Sequence, residues 1–417
     1  MRKFLFVSKL VGTIVLFLAL IMTVGIAEEE ALAELLIAVP DGVTEIDLRM
    51  ALGDDVLAVE DAWMLNTDVS VILRQLPEIG GYELVLLDLR DLLVLSRTPI
   101  PHVRYYWHPQ GWDDSVFYML FPPKGSDMSD PAFSYIKAVV EQDGTVDAGS
   151  SAPGRTTVMP GGKVTIREAD DGSLYAVNLD NGEEELLIQG VAGYGGEYSY
   201  EAYLGYVPCR DDAGYNAGED GEPLSTPPFP LDEDSFHDYW PFFYREFYVY
   251  KPLDEYRFVY TAKGWEWGAG FGIYDLQTHT DHRITGSGYF YGARGNTLYG
   301  SFLTANADTY ESSPLPKTVR QQFGEINAME DGRVDYDISP DGRLLALTGM
   351  QSRYGDADDH TVTITDIQTG KVIQAYDIRN PFASEYRVTF YDNTRFMLFF
   401  QPEEFGSAYI YLFDAEE

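Results

Sequence analysis

Five short β-prone stretches share one arrangement: apolar residue, then Asp or Asn, then a polar turn. They are Leu87-Asp88-Leu89, Val177-Asn178-Leu179, Tyr274-Asp275-Leu276, Thr365-Asp366-Ile367 and Phe413-Asp414-Ala415. The polar residue recurs at 88, 178, 275, 366 and 414, so the last interval is close to half of each earlier one. A period of about 47 residues, with alternate copies degraded, accounts for the whole series. A unit of that length holds four short strands. One such sheet cannot bury its apolar faces alone, so successive units must pack face against face.

The clearest copy shows how a unit is built. In Asp337-Ile338-Ser339-Pro340-Asp341-Gly342-Arg343-Leu344-Leu345-Ala346-Leu347, Pro340 presets φ for a turn, Asp341 can bond its own backbone and Gly342 tolerates positive φ. A second hairpin, Thr361 to Ile378, turns at Gln368-Thr369-Gly370-Lys371. Within it Val362 and Ile364 share one face while Thr361, Thr363 and Thr365 share the other, as in a strand packed on one side. Four strands in about 45 residues make one blade of a β-propeller. The expected fold is therefore all-β, a propeller of four-stranded antiparallel blades.

Other blades are expected at Thr157 to Ile188, Glu246 to Thr285 and Tyr386 to Asp414. Ser115 to Val146 gives one more, turning at Asp143-Gly144, and Tyr289 to Leu303 starts another, turning at Arg294-Gly295-Asn296. The count is seven, or eight if Gly193 to Tyr244 holds a blade. Arg210 to Pro230 is rich in Asp, Gly and Pro without periodicity, which places a long loop insertion around 210–235. The chain stops just after Asp414, so the last blade lacks its outermost strand. A strand from the 28–54 segment, Leu35 to Val39 or Val43 to Leu48, would complete it and close the ring formed by 55–417.

Tyr336 to Ile378 resembles a blade of the TolB-type, WD-repeat-like propellers, through Ser339-Pro340-Asp341-Gly342 followed by Leu344-Leu345-Ala346-Leu347. Leu174 to Gly182 is similar to the outer hairpin of quinoprotein-type repeats, without the Trp that closes that motif. The resemblance covers about a fifth of the chain and implies a fold more than an activity. Related propellers serve as protein-binding scaffolds, as sugar-processing or lyase enzymes, or as gating domains of serine peptidases. The last role would require a Gly-x-Ser-x-Gly elbow, which the sequence lacks.

Residues 1–27 begin with Arg2, Lys3 and Lys9, run apolar from Leu10 and end in small residues at Gly25 and Ala27. This reads as a secretory signal peptide cut before Glu28, with Ala31-Leu32-Ala33 as a second cut site. Left uncut, the segment would anchor the chain in a membrane. The expected location is outside the cytoplasm: secreted, cell-surface or periplasmic. Removing it takes three basic and no acidic residues from a chain of 29 Lys and Arg against 67 Asp and Glu. A field that negative repels nucleic acid and anionic membrane and suits divalent cations or a basic partner, although a solvated acidic surface has the same composition. Cys209 is the single cysteine, so no intrachain disulfide forms and the core must suffice.

Candidate chemistry is sparse. Asp356, Asp358 and Asp359, beside His360, form an oxygen-rich loop that fits Ca²⁺ by donor type but not by EF-hand spacing. Tyr239, Trp240 and Phe243 open an aromatic run that continues through Phe247-Tyr248-Val249-Tyr250. With Trp265 and Trp267 they offer a platform for a sugar or peptide, or else they fill gaps between blades. His279 and His282 fall at one hairpin, where zinc would need two further ligands. Carboxylates over the central funnel could supply an acid/base pair. The leading expectation is an exported, non-catalytic propeller binding a protein or glycan through rim loops, with no resident cofactor unless Ca²⁺. The rivals are a glycan hydrolase or lyase acting in the funnel and a structural or sensory ectodomain.

Overall fold

Among the described residues, twenty-eight strands assemble into seven separate four-stranded antiparallel sheets. The computed structural model describes residues 43–53, 59–76, 81–101, 103, 107–113, 116–127, 133–190, 246–264, 268–284, 288–328, 335–350, 360–377, 383–402 and 408–415. The chain enters through β1 (Thr44–Asp47) and a short helix α1 (Leu48–Leu52). Blade 1 follows as β2 (Val59–Met64), β3 (Val69–Leu76), β4 (Gly81–Asp88) and β5 (Leu93–Pro101). Blade 2 is β6 (Trp107–Asp113), β7 (Val116–Phe121), β8 (Ser134–Val140) and β9 (Val146–Pro153). Blade 3 is β10 (Thr156–Val158), β11 (Val164–Glu168), β12 (Leu174–Asn178) and β13 (Glu184–Ile188). Blade 4 is β14 (Glu246–Pro252), β15 (Arg257–Lys263), β16 (Gly268–Asp275) and β17 (Thr280–Ile284). Blade 5 is β18 (Phe290–Arg294), β19 (Thr297–Gly300), β20 (Leu303–Asn306) and β21 (Ser312–Pro314), followed by helix α2 (Lys317–Ala328). Blade 6 is β22 (Tyr336–Ile338), β23 (Leu344–Met350), β24 (His360–Asp366) and β25 (Val372–Asp377). Blade 7 takes β26 (Ala383–Phe390), β27 (Arg395–Pro402) and β28 (Tyr409–Asp414) from the end of the chain, with β1 as its fourth strand.

That last sheet closes the ring. Thr44 pairs with Leu412 and Asp47 with Tyr409, and the Leu48 N–H continues the ladder to the Ala408 carbonyl at 3.0 Å. Ile46 and Leu48 then sit in one core with Met397, Phe399 and Ile410 of blade 7 and Val59, Ile72, Val85 and Leu87 of blade 1. The chain is a seven-bladed β-propeller.

An eighth blade between Gly193 and Tyr244 is ruled out by packing. Met159, Ile166 and Leu174 of blade 3 share a core directly with Phe247, Phe258, Tyr260 and Tyr274 of blade 4. The repeat interval is long there because residues 189–245 join adjacent blades, not because a blade is hidden. The other two long intervals do hide blades. Asp143 and Gly144 (φ 85°) turn β8 into β9, and Asn306 caps the β20–β21 turn by accepting the Asp308 and Thr309 N–H groups, each at 2.9 Å.

Four of the recurrent residues, Asp88, Asn178, Asp275 and Asp366, are turn caps. Asp275 accepts from Gln277 and Thr278, and Asp366 from Thr369 at 2.8 Å, each side chain replacing a backbone acceptor the turn cannot supply. In the Ser339–Gly342 turn, the Gly342 N–H reaches the Ser339 carbonyl at 2.8 Å and Ser339 Oγ takes the Leu344 N–H at 2.8 Å. Between blades the glue is aromatic and aliphatic. Phe396 and Phe413 stack at 4.7 Å between centroids while Tyr376 of blade 6 meets Phe413 edge-on at 4.6 Å. Fully burying a side chain of this kind contributes about 1.5–3 kcal/mol.

Candidate binding face

The two ends of the ring differ in how the chain crosses them. One end carries the turns between first and second and between third and fourth strands. These run from 295–296 at the shortest to stretches such as 141–145 and 339–343 at the longest. The opposite end carries the turns between second and third strands and the links between blades. From this end the chain leaves β13 and returns at β14, leaves β23 and returns at β24, and carries α2 after β21. One end is trimmed and the other elaborated.

The aromatic and acidic site residues expected from sequence fall, by their order along the chain, in three connections between strands. Trp265 and Trp267 fall between β15 and β16, Asp356, Asp358 and Asp359 between β23 and β24, and Tyr239, Trp240 and Phe243 just ahead of β14. All eight lie outside the described residues, as does Cys209. The continuation of the aromatic run is described, and it divides. Phe247 is buried and meets Tyr260 edge-on at 5.7 Å, so it fills a gap between blades. Tyr248 and Tyr250 are 38% and 45% exposed on the same innermost strand, with Tyr250 edge-on to Phe290 of blade 5 at 4.7 Å. Part of the run is buried and part is partly exposed.

His279 sits at positive φ (52°) with Nδ1 3.0 Å from Glu185 Oε1, and His282 stacks on Tyr310 at 3.8 Å. The two imidazoles face different neighbours. Among the described residues no group of three or more His, Cys, Asp and Glu side chains could hold a metal ion.

Around the axis, sequence reasoning missed a chain of buried and half-buried charges. Arg387 on the innermost strand of blade 7 donates Nη2–H to Asp61 Oδ2 of blade 1 at 2.8 Å, with Nε also on Asp61, and Nη1–H to Asp335 Oδ1 of blade 6 at 3.3 Å. The second oxygen of Asp335 accepts the Val388 N–H at 2.7 Å. Two residues on, Asp337 accepts the Phe390 N–H at 2.7 Å and pairs with Arg294 of blade 5, whose Nε–H also reaches the Ile338 carbonyl at 2.7 Å. Burial lifts the Asp335 carboxyl to about 6, against the pull of Arg387 and the Val388 N–H. Burial also raises Asp337, against Arg294.

These carboxylates have a structural task. The innermost strand of each blade is a sheet edge, and its outward N–H groups need acceptors. Asp335 and Asp337 supply them for blade 7. A funnel acid/base pair would need carboxyls presented to a substrate, whereas these are committed to guanidinium groups and backbone. The signal was legible in principle: charges in Val334-Asp335-Tyr336-Asp337-Ile338 and Tyr386-Arg387-Val388 interrupt stretches that otherwise read as core strands.

No family model matches the sequence, and no curated protein matches it. The structure is similar to the β-propeller domain of Cps50 (Swd1) from Myceliophteria thermophila, at 12% identity and a TM-score of 0.38, over 85% of this chain and 98% of that one. The blade layout is WD-repeat-like, with an N-terminal strand completing the last sheet. No helix among the described residues is long and apolar enough to cross a membrane.

Proposed function

We propose that this chain is an exported, non-catalytic propeller that binds a protein or glycan partner through the elaborated end of the ring. The observation that carries this reading is the asymmetry of the two ends: long connections collect on one face of a scaffold whose opposite turns are minimal. Loops of that length on a rigid frame serve recognition more often than packing. The exposed pair Tyr248 and Tyr250 on the strand that follows the longest connection adds stacking surface.

The test is a glycan array and a panel of synthetic glycosides, probed with the wild type and with Trp265→Ala/Trp267→Ala. Saturable binding without turnover, lost in the double variant while its melting temperature stays unchanged, is the expected result. Turnover of any glycoside would replace this reading with an enzymatic one. Calcium is checked separately by calorimetric titration. Heat and a raised melting temperature that vanish in Asp356→Asn/Asp358→Asn would place a cation in that loop, and silence would remove it.

A further inference from the structure

We propose that Glu168 is a proton-operated latch on the seam between blades 3 and 4. Glu168 ends β11, and its side chain crosses to the innermost strand of the next blade, where Oε1 accepts the Val249 N–H at 2.9 Å. One more hydrogen bond crosses the same seam, from the Phe247 N–H to the Gly172 carbonyl at 2.9 Å, while within blade 3 the Gly190 N–H reaches Ser173 Oγ at 2.8 Å. Gly190 is where the chain leaves blade 3 for the longest connection of the elaborated end. The seam therefore holds β14, the strand to which that connection returns.

The charged group facing Glu168 is Arg155 of its own blade, which is shared with Asp170. β14 turns Phe247 and Val249 toward blade 3, where both join the common core. The titratable groups of β14 look elsewhere. Tyr248 bonds Glu246, Tyr250 packs on Phe290, and Lys251 feels Arg294 of blade 5. Burial dominates this setting and lifts the carboxyl from 4.5 to about 7, although the Val249 N–H and Arg155 pull the other way. The folded chain thus holds a proton that the unfolded chain has released. The contribution is complete below 4.5 and is lost as pH rises through about 7. Across that window the opening equilibrium shifts up to about tenfold per pH unit. Above it the latch carries a half-buried charge.

The variant Glu168→Gln keeps the acceptor and removes the charge. In the full chain it should melt higher than the wild type at pH 8 and coincide with it at pH 5. A variant that melts lower at pH 8, or differs from the wild type equally at both values, would overturn the latch. The unaltered protein supplies a second readout. Hydrogen exchange of residues 246–252, corrected for intrinsic rates, should lose about tenfold or more protection between pH 5 and pH 8, and more than β3 of blade 1 loses. An equal loss in both strands, or none, overturns the proposal as well.

Discussion

Arg387 gathers into one side chain what holds three blades at the axis. It joins Asp61 of blade 1 and Asp335 of blade 6 from its place on blade 7, and lies 5.9 Å from the Trp63 ring centroid. Exchanging it for Met preserves volume but leaves two carboxylates without their guanidinium, a loss that typically costs about 3–5 kcal/mol. Urea unfolding of Arg387→Met should show a deficit of that size, and adding Asp61→Asn to it should recover part. An unchanged midpoint would mean that water already satisfies both acids. Gly342 offers a second residue-scale test. It holds φ at 75° in the Ser339–Gly342 turn with the Tyr299 hydroxyl against the site a Cβ would fill. Gly342→Ala should lose at least about 1 kcal/mol, since positive φ and the close ring both oppose a side chain.

Among the elements, β1 has consequences beyond its length. Ile46→Ala removes a side chain buried at 5% exposure between the first and last blades and should cost about 2–5 kcal/mol in chemical denaturation. Val372→Ala, at 41% exposure on an outer strand, should stay within about 0.5 kcal/mol. Equal costs would argue that the closing sheet is dispensable. Strands and turns were the legible part of this molecule. Turn chemistry is local, so Pro340, Asp341 and Gly342 announce their hairpin, and Asp88, Asn178 and Asp366 announce theirs. Blade 2 and blade 5 were fainter because Asp143 and Asn306 occur in less regular surroundings. The axial charges escaped notice because Asp335 and Arg387 are far apart in sequence and meet only once the ring exists. The elaborated end was legible as composition alone, since aromatic and acidic residues without periodicity do not state which of them meet.

At the scale of the whole molecule, electrostatics should govern behaviour in solution. A formal charge of −38 makes the folded ring repel itself, so raising ionic strength to about 0.15 M should raise the melting temperature. Acidification should act in the same sense. The carboxyl of Asp335 is lifted from 3.8 to about 6 by burial, so its share of stability is complete below 3.8 and is lost as pH rises through about 6. With Glu168 titrating slightly higher, the melting temperature is expected to climb as pH falls from 8 toward 5. Scanning calorimetry that instead finds a maximum at pH 8 would show the ion pairs of Arg387 outweighing the cost of burial.

The pairing of Thr44–Asp47 with Tyr409–Asp414 also sets a timetable. β1 is made before the strands of the other six sheets and β28 after them, so those six can form during synthesis while the seventh waits for Tyr409–Asp414. Until then the nascent chain is an open arc with two unsatisfied flanks. Whatever keeps those flanks apart from other arcs, whether dilution, a chaperone or passage through a narrow pore, decides the yield of finished rings.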